Sequence, residues 1–207
     1  MCGQTWLGAA ATFVLSWTVM MAPMMLPSLT PGLWAFWRQT RREASAEAAS
    51  MHTALVVVSY FLAWAAAGVI VFAMGATLAA ILMRSTTLAH VAPIAPCLVI
   101  VLAGLVQFTD WKARSIACCR SLSLHCSIAP VGARLACLHG VRLARNEGYC
   151  CANLMLALLV FDVMDWRAMA AATLAMSAEL VAPAPRLVAK AIGALMIAAG
   201  LACGHLT

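Results

Sequence analysis

Long apolar runs separated by short polar segments dominate this chain. Several runs approach the roughly 20 residues that a helix needs to cross about 30 Å of hydrocarbon. The pattern predicts an all-α fold, a polytopic transmembrane helical bundle that forms one domain over residues 1–207. After the third run, the helix can continue as far as Arg120. Six spans are expected, at about 5–26, 54–83, 93–107, 148–163, 168–181 and 187–203.

Basic residues are concentrated in the segments that follow the odd-numbered spans. Eleven of the 13 lysine and arginine residues lie there or, in the case of Lys190, just inside the following span, whereas Arg84 and Arg167 follow even-numbered spans. Because cytoplasmic loops are enriched in basic residues, both termini are expected on the non-cytoplasmic side. We expect a multi-pass protein of the bacterial inner (plasma) membrane. Residues 32–50 predict an amphipathic cytoplasmic helix whose Trp34 and Trp37 lie at the lipid headgroups.

The composition agrees with a membrane protein in contact with the lipid bilayer. Hydrophobic residues make up 65% of the chain and charged residues 10%, and the mean hydropathy is +0.96. Soluble domains are only about 45–50% apolar. The net charge of +6 does not indicate nucleic-acid binding, since the basic residues lie between apolar runs and form no basic domain.

Methionines cluster where the first span is predicted to reach the cytoplasm. This span ends in the sequence MMAPMMLP, in which Met20 and Met24 are one helical turn apart, as are Met21 and Met25. Pro23 is expected to distort this turn. The arrangement places several thioether sulfurs at one membrane depth.

Vicinal cysteines occur at the same predicted depth. Cys118 and Cys119 follow the third span, and Cys150 and Cys151 begin the fourth, with Met155 one turn after Cys151. Thiolate and thioether sulfurs are preferred ligands of Cu(I), and thiolates also bind zinc. A helix start favours the thiolate form, and a reducing cytoplasm would keep the thiols available.

Glu179 is the most specific polar feature of the spans, because a carboxylate within a membrane usually has a partner or a function. It can orient a metal ligand or balance charge, or it can form an ion pair with Lys190 that joins two helices. The sulfur-containing residues also have simpler interpretations, namely packing or, for cysteine, palmitoylation. The loop histidines could supply imidazole. Ordinary apolar or surface roles are nevertheless expected for three other cysteines and for these histidines: Cys2, Cys97, Cys203, His125 and His139.

Catalytic signatures are absent from the sequence. It contains no paired zinc-protease histidines, no phosphate-binding glycine loop and no nucleophile elbow. We therefore expect that the protein is not an enzyme.

Several short motifs occur in a fixed order along the chain: WTVMMAPMMLP, YFLAW, GLVQFTDWK followed by CR, CCANLM, DVM and Glu179. In this order they resemble a bacterial family of predicted metal-binding integral membrane proteins, some of which are described as copper chaperones that assist copper oxidases. The matching positions are Trp17, Met20, Met24, Met25, Pro27, Tyr60, Trp64, Gly104, Gln107, Thr109, Lys112, Cys119, Arg120, Cys150, Cys151, Leu154, Met155, Met164 and Glu179.

The chain also departs from that family's pattern. Ser115 and Glu147 stand near positions where the family tends to have further cysteines. Pro23 replaces an alanine, and Ala152 replaces a tryptophan after the cysteine pair. The resemblance therefore implies a divergent member.

The leading interpretation is an integral membrane protein that binds Cu(I) and delivers it to a membrane or exported copper enzyme. One alternative is an accessory subunit of a membrane complex without metal. Another is a small transporter that couples Glu179 and Lys190. The candidate metal ligands are Cys150, Cys151, Cys119, Met24, Met25 and Met155, with Glu179, Cys118 and Met20 around them.

Overall fold

Seven α-helices lie within the residues that the computed structural model describes, which are 5–84, 94–124, 132–161 and 166–206. These described residues contain no β-strand, which confirms the predicted all-α class. The helices are α1 (Trp6–Glu43), α2 (Ala46–Arg84), α3 (Ala95–Val106), α4 (Asp110–Leu124), α5 (Ala133–Phe161), α6 (Trp166–Val181) and α7 (Pro185–Leu206).

In the described part of the chain, three helices are long and apolar enough to cross a membrane, namely α1, α2 and the Pro185–Cys203 part of α7. A fourth candidate span is formed by α3 and α4 together, which are bent by 68° relative to each other. The two further spans predicted from the sequence correspond to the C-terminal half of α5 and to the 16-residue helix α6. Six spans and their orientation stay a prediction.

Helix α1 is continuous over 38 residues, although the sequence pattern predicted that the first span ends at residue 26. Its prolines at positions 23, 27 and 31 are spaced by four residues, so they share one face of the helix. Because proline has no backbone N–H, the helical hydrogen bonds that these residues would donate are all missing on that face. Nearby, the hydroxyls of Ser28 and Thr30 donate to backbone carbonyls of the preceding turn at 2.8 and 2.5 Å.

The segment predicted as a separate amphipathic helix, residues 32–50, instead contains the end of α1 and the start of α2. The chain leaves helical geometry at Ala44, which is extended. The tryptophans of this segment form a cluster with a basic residue. Trp34 and Trp37 stack with ring centroids 5.2 Å apart, and the guanidinium of Arg41 lies 5.0 Å from the Trp37 ring.

The chain divides into two compact units, Met1–Ile81 with Leu122–Arg145 and Leu82–Ser121 with Asn146–Thr207. Helix α5 runs through both of them. In the first unit, α1 and α2 pack through aromatic residues. The indole N–H of Trp17 donates to the carbonyl of Trp64 at 3.1 Å. Gly68 makes room for this indole, since a Cβ atom there would lie 2.7 Å from it.

The same unit contains a second contact region, where the N-terminal half of α5 joins the helical pair. Phe36, Val56 and Ala136 form its buried core. Gly140 allows a close approach, because a Cβ atom there would collide with the Ser59 hydroxyl and the Val56 backbone. The ring of His139, which was expected at the surface, stacks on Phe36 at 5.3 Å. Burial lowers the pKa of His139 below its ordinary value, and Arg142 lowers it further. His125 lies outside the described residues.

The second unit is joined by a seam of glycines between α3 and α7. A Cβ atom on Gly104 would lie 2.9 Å from the carbonyl oxygen of Gly193, and one on Gly193 would lie 2.8 Å from that of Gly104. Likewise, a Cβ atom on Gly200 would lie 3.0 Å from the carbonyl oxygen of Cys97. Small residues of this kind allow helix backbones to approach closely.

A disulfide between Cys97 and Cys203 closes one end of this seam, with Cα atoms 5.7 Å apart. The prediction that these two cysteines are ordinary apolar residues is therefore wrong. They are separated by 106 residues in the sequence, and the close approach of α3 and α7 brings them together. Cys2 lies outside the described residues.

The glycine seam can be tested with two alanine substitutions. Gly193→Ala should lower the free energy of unfolding by about 1–3 kcal/mol, because the added methyl group collides with backbone across the seam. Gly75→Ala is the matched control, since no described residue outside its own stretch of helix has an atom within 4 Å of the added Cβ. Thermal unfolding in detergent should show a lower midpoint for the first variant only. Equal midpoints would contradict the close packing of α3 and α7.

Candidate metal centre

Helices α4 and α5 bring three buried thiols together in the second unit. Cys119 lies on α4, while Cys150 and Cys151 lie on α5. Their exposed fractions are 7%, 1% and 2%. The thiol of Cys150 is in hydrogen-bonding contact with those of both Cys119 and Cys151. The two vicinal pairs were predicted to meet. In the structure, Cys119 of the first pair meets Cys150 and Cys151 of the second.

The α4 face that carries Cys119 follows from helical spacing. Lys112, Ile116 and Cys119 are at positions i, i+4 and i+7, and all three are buried. The backbone N–H of Lys112 donates to the Thr109 hydroxyl at 3.4 Å, so that Thr109 caps the start of α4. Cys118 belongs to another face and is exposed. It lines a surface pocket of about 230 Å³ with Trp111, Ser115, Asn146 and Tyr149.

The cysteine pair of α5 lies in the interior of its helix, not at its start. The helix begins at Ala133, well before the predicted fourth span. Residues 133–147 contain no proline, but they carry enough charge to hide the helix from an apolar pattern. The helix N-terminus therefore cannot be what favours the thiolate form of Cys150 and Cys151.

Two further residues of α5 lie beside the thiols. Met155, one turn after Cys151, is buried as a candidate thioether ligand. Glu147, one turn before Cys151, is also buried, and its carboxylate is close enough to act electrostatically on Cys119 and Cys151. The position that departs from the family's cysteine pattern therefore carries an oxygen donor next to the thiol cluster.

A buried lysine completes the surroundings of the thiols. Lys112 has no exposed side-chain surface, and its ammonium group contacts three acceptors. It donates to the backbone carbonyl of Cys150 at 2.6 Å and to the side-chain oxygen of Asn153 at 3.3 Å. Its third partner is the Glu179 carboxylate at 2.7 Å. The cation thus joins α4, α5 and α6.

The remaining polar groups extend this network. The Gln107 amide donates to the second oxygen of Glu179 at 2.8 Å, and the Asn153 amide donates to the Ala103 carbonyl at 3.3 Å. Gln107 stands at the bend between α3 and α4 and is 3% exposed. Its side-chain oxygen has no hydrogen-bond partner among the residues that the structure describes. Buried polar groups otherwise find partners here, as a low-dielectric interior requires.

The predicted ion pair between Glu179 and Lys190 is wrong. Glu179 pairs with Lys112, whereas Lys190 is exposed. The prediction matched depths along two neighbouring spans and could not anticipate the bend that turns α4. Lys112 and Gln107 both belong to the GLVQFTDWK motif, so the sequence did contain an indication that these two residues are functional. Asn153 lies inside the CCANLM motif in the same way.

The candidate methionines of α1 belong to the first unit. Met20, Met24 and Met25 are buried there, as is Met21. Helix α1 is continuous through all four, so Met20 and Met24 lie one turn apart, as do Met21 and Met25, as their spacing predicts. Among the described residues, no group of three or more histidine, cysteine, aspartate or glutamate side chains has the arrangement of a metal site. Metal binding is therefore inferred from the preference of Cu(I) for thiolate sulfur and not from a complete set of ligands in metal-binding geometry.

Removing the buried cation should destabilise the protein strongly. Lys112→Met leaves Glu179 buried without its counter-ion, which typically costs about 3–5 kcal/mol. Lys190→Met removes the same charge from an exposed position and should change the free energy of unfolding by less than about 0.5 kcal/mol. Thermal or denaturant unfolding in detergent measures both effects. A larger loss in the Lys190 variant would restore the pairing predicted from the sequence.

The comparisons with known proteins agree with a role connected to copper. A family model described as PpoB2, copper chaperone, matches residues 14–203. No curated protein and no solved structure matches the chain. The match covers nearly the whole chain and confirms the resemblance inferred from the ordered motifs. The chain belongs to the PpoB2 family of copper chaperones.

Proposed function

We propose that the protein is an integral membrane carrier of Cu(I), which it delivers to a membrane or exported copper enzyme. The observation that carries this proposal is the contact of three buried thiols in a chain of the copper chaperone family. Cys119, Cys150 and Cys151 supply the soft donors that Cu(I) prefers. Met155 adds a thioether on the same helix.

Delivery proceeds by exchange of sulfur ligands. The incoming ion exchanges donor ligands for the thiolates of the cluster, and each thiol that binds releases its proton. Copper stays Cu(I) throughout, so that no oxidant or reductant is needed. Because three thiols are available, the ion can keep two sulfur ligands while one is replaced. Met24 and Met25 are further candidate ligands, with Met20 beside them, in the first unit.

The protein acts as a carrier and not as an enzyme in this proposal, and it resides in the bacterial inner membrane with several spans. The predicted orientation gives α3 and α7 a shared non-cytoplasmic end, where Cys97 and Cys203 lie. Disulfides persist in oxidising compartments outside the cytoplasm. The disulfide supports the orientation inferred from basic residues, because it lies at the end of α3 and α7 that this orientation makes non-cytoplasmic. The reduced thiol of Cys119 lies further along the chain, towards the C-terminal end of α4.

Copper binding is tested with the purified protein in detergent under anaerobic, reducing conditions, where a competing Cu(I) chelator sets the affinity scale. The wild-type protein should bind Cu(I) stoichiometrically, and the variant Cys150→Ser/Cys151→Ser should lose at least tenfold in affinity, because only one thiol of the cluster remains. The reductant must be mild enough to leave the disulfide of Cys97 intact.

The matched control is Cys137→Ser, which removes a reduced thiol that lies in the first unit. This variant should bind copper as the wild type does. Absence of binding by the wild type, or equal binding by the double variant, would contradict the copper proposal. Either result would favour an accessory subunit without metal.

Sidedness is tested with a membrane-impermeant maleimide on right-side-out vesicles. In a Cys2→Ser/Cys97→Ser background, Cys203 should be labelled from outside, since its disulfide partner is absent. The exposed thiol of Cys118 should be labelled only after the vesicles are opened. Labelling of Cys118 in closed vesicles would reverse the orientation and place the cluster on the oxidising side.

A further inference from the structure

The position of Lys112 points to a role in copper binding itself. Its ammonium group lies between the α5 backbone at Cys150 and the carboxylate of Glu179, at 2.6 and 2.7 Å. It is fully buried, so water does not screen its charge. The group is thus a fixed positive charge held against the helix that carries two of the three thiols.

We propose that Lys112 is a positioning residue whose charge stabilises the copper-loaded thiolates, and that Glu179 weakens copper binding through its opposite charge. This inference rests on the proposed copper function. Lys112 would touch the backbone of a ligand residue and not the ion, so it acts through Cys150 and through its electric field.

The charge change on copper binding gives this proposal its direction. Two thiolates bound to one Cu(I) ion carry one net negative charge, which is one unit more negative than a pair of protonated thiols. A buried negative charge is costly unless a positive group lies nearby. Lys112 supplies that group, whereas the carboxylates of Glu147 and Glu179 act against it. Glu147 is unchanged in every variant below and therefore does not alter their order.

The two members of the ion pair should therefore affect copper affinity in opposite directions. Lys112→Met removes the favourable charge and leaves Glu179 behind, which should weaken Cu(I) binding by roughly 10- to 100-fold. Glu179→Gln removes the opposing charge and leaves Lys112 without an anion until copper arrives, which should tighten binding. The double variant restores a neutral pair and should lie between the two single variants.

A purely structural ion pair predicts a different result. Loss of either partner would then destabilise the fold to a similar degree, and neither change would raise the affinity for copper. Lys190→Met controls for net charge, because it removes an equal charge from an exposed position in the same unit. Its affinity for Cu(I) should equal that of the wild type.

The experiment measures Cu(I) dissociation constants for the full-length wild type and these four variants in detergent, with Cu(I) alone as the probe and a chelator in competition. Each variant is also unfolded thermally with and without Cu(I). Copper should raise the unfolding midpoint of Glu179→Gln more than that of the wild type, and that of Lys112→Met less. If Lys112→Met does not fold, Glu179→Gln decides alone, because a structural pair cannot explain tighter binding.

The outcomes separate this inference from the copper function. Thiol-dependent binding with opposite shifts in the two single variants supports both. Thiol-dependent binding with shifts of the same sign, or with no shift, overturns the role of Lys112 and leaves the copper function intact. Failure of the wild type to bind Cu(I), or binding indifferent to Cys150→Ser/Cys151→Ser, overturns both proposals.

Discussion

The buried ion pair between Lys112 and Glu179 determines how the interior of the second unit is arranged. Taking two charges out of water costs several kcal/mol for each, and such a pair is tolerated only when the remaining hydrogen-bonding groups are satisfied. Here the ammonium group has three acceptors, and both carboxylate oxygens have donors. The pair therefore requires α4, α5 and α6 to meet at one point. The contact between Cys119 and Cys150 lies two turns along α4 from that point.

The sequence pattern predicts some helices much better than others. Helices α3, α6 and α7 begin and end within three residues of the predicted spans, because their boundaries coincide with the limits of the apolar runs. Helices α1 and α5 extend far beyond their apolar runs into charged segments. An apolar run indicates which residues avoid water, whereas a helix ends only where its backbone hydrogen bonds end. The three prolines of α1 share one face, and the helix continues through them.

The candidate site was predictable in its donors but not in its charges. The vicinal cysteines and the order of the motifs indicate Cys119, Cys150 and Cys151 as candidate donors. The partner of Glu179 was not predictable from span depths, since it depends on a 68° bend that no local pattern reveals. The disulfide of Cys97 could not be predicted either, because its partner is 106 residues away in the chain and the two meet only through the packing of α3 and α7.

The pairing of Lys112 with Glu179 also changes which positive group can stabilise the thiolates of the cluster. The sequence suggested that a helix N-terminus would favour the thiolate of Cys150, but that residue lies deep inside α5, where the terminal partial charges no longer act. The positive charge beside Cys150 comes instead from helix α4, as the ammonium group of Lys112. A full charge supplied by a side chain differs from a helix terminus in one respect. The ammonium group is already paired with an anion, Glu179. Its effect on the thiolates therefore depends on the balance between its attraction for Glu179 and its attraction for the copper-loaded thiolates.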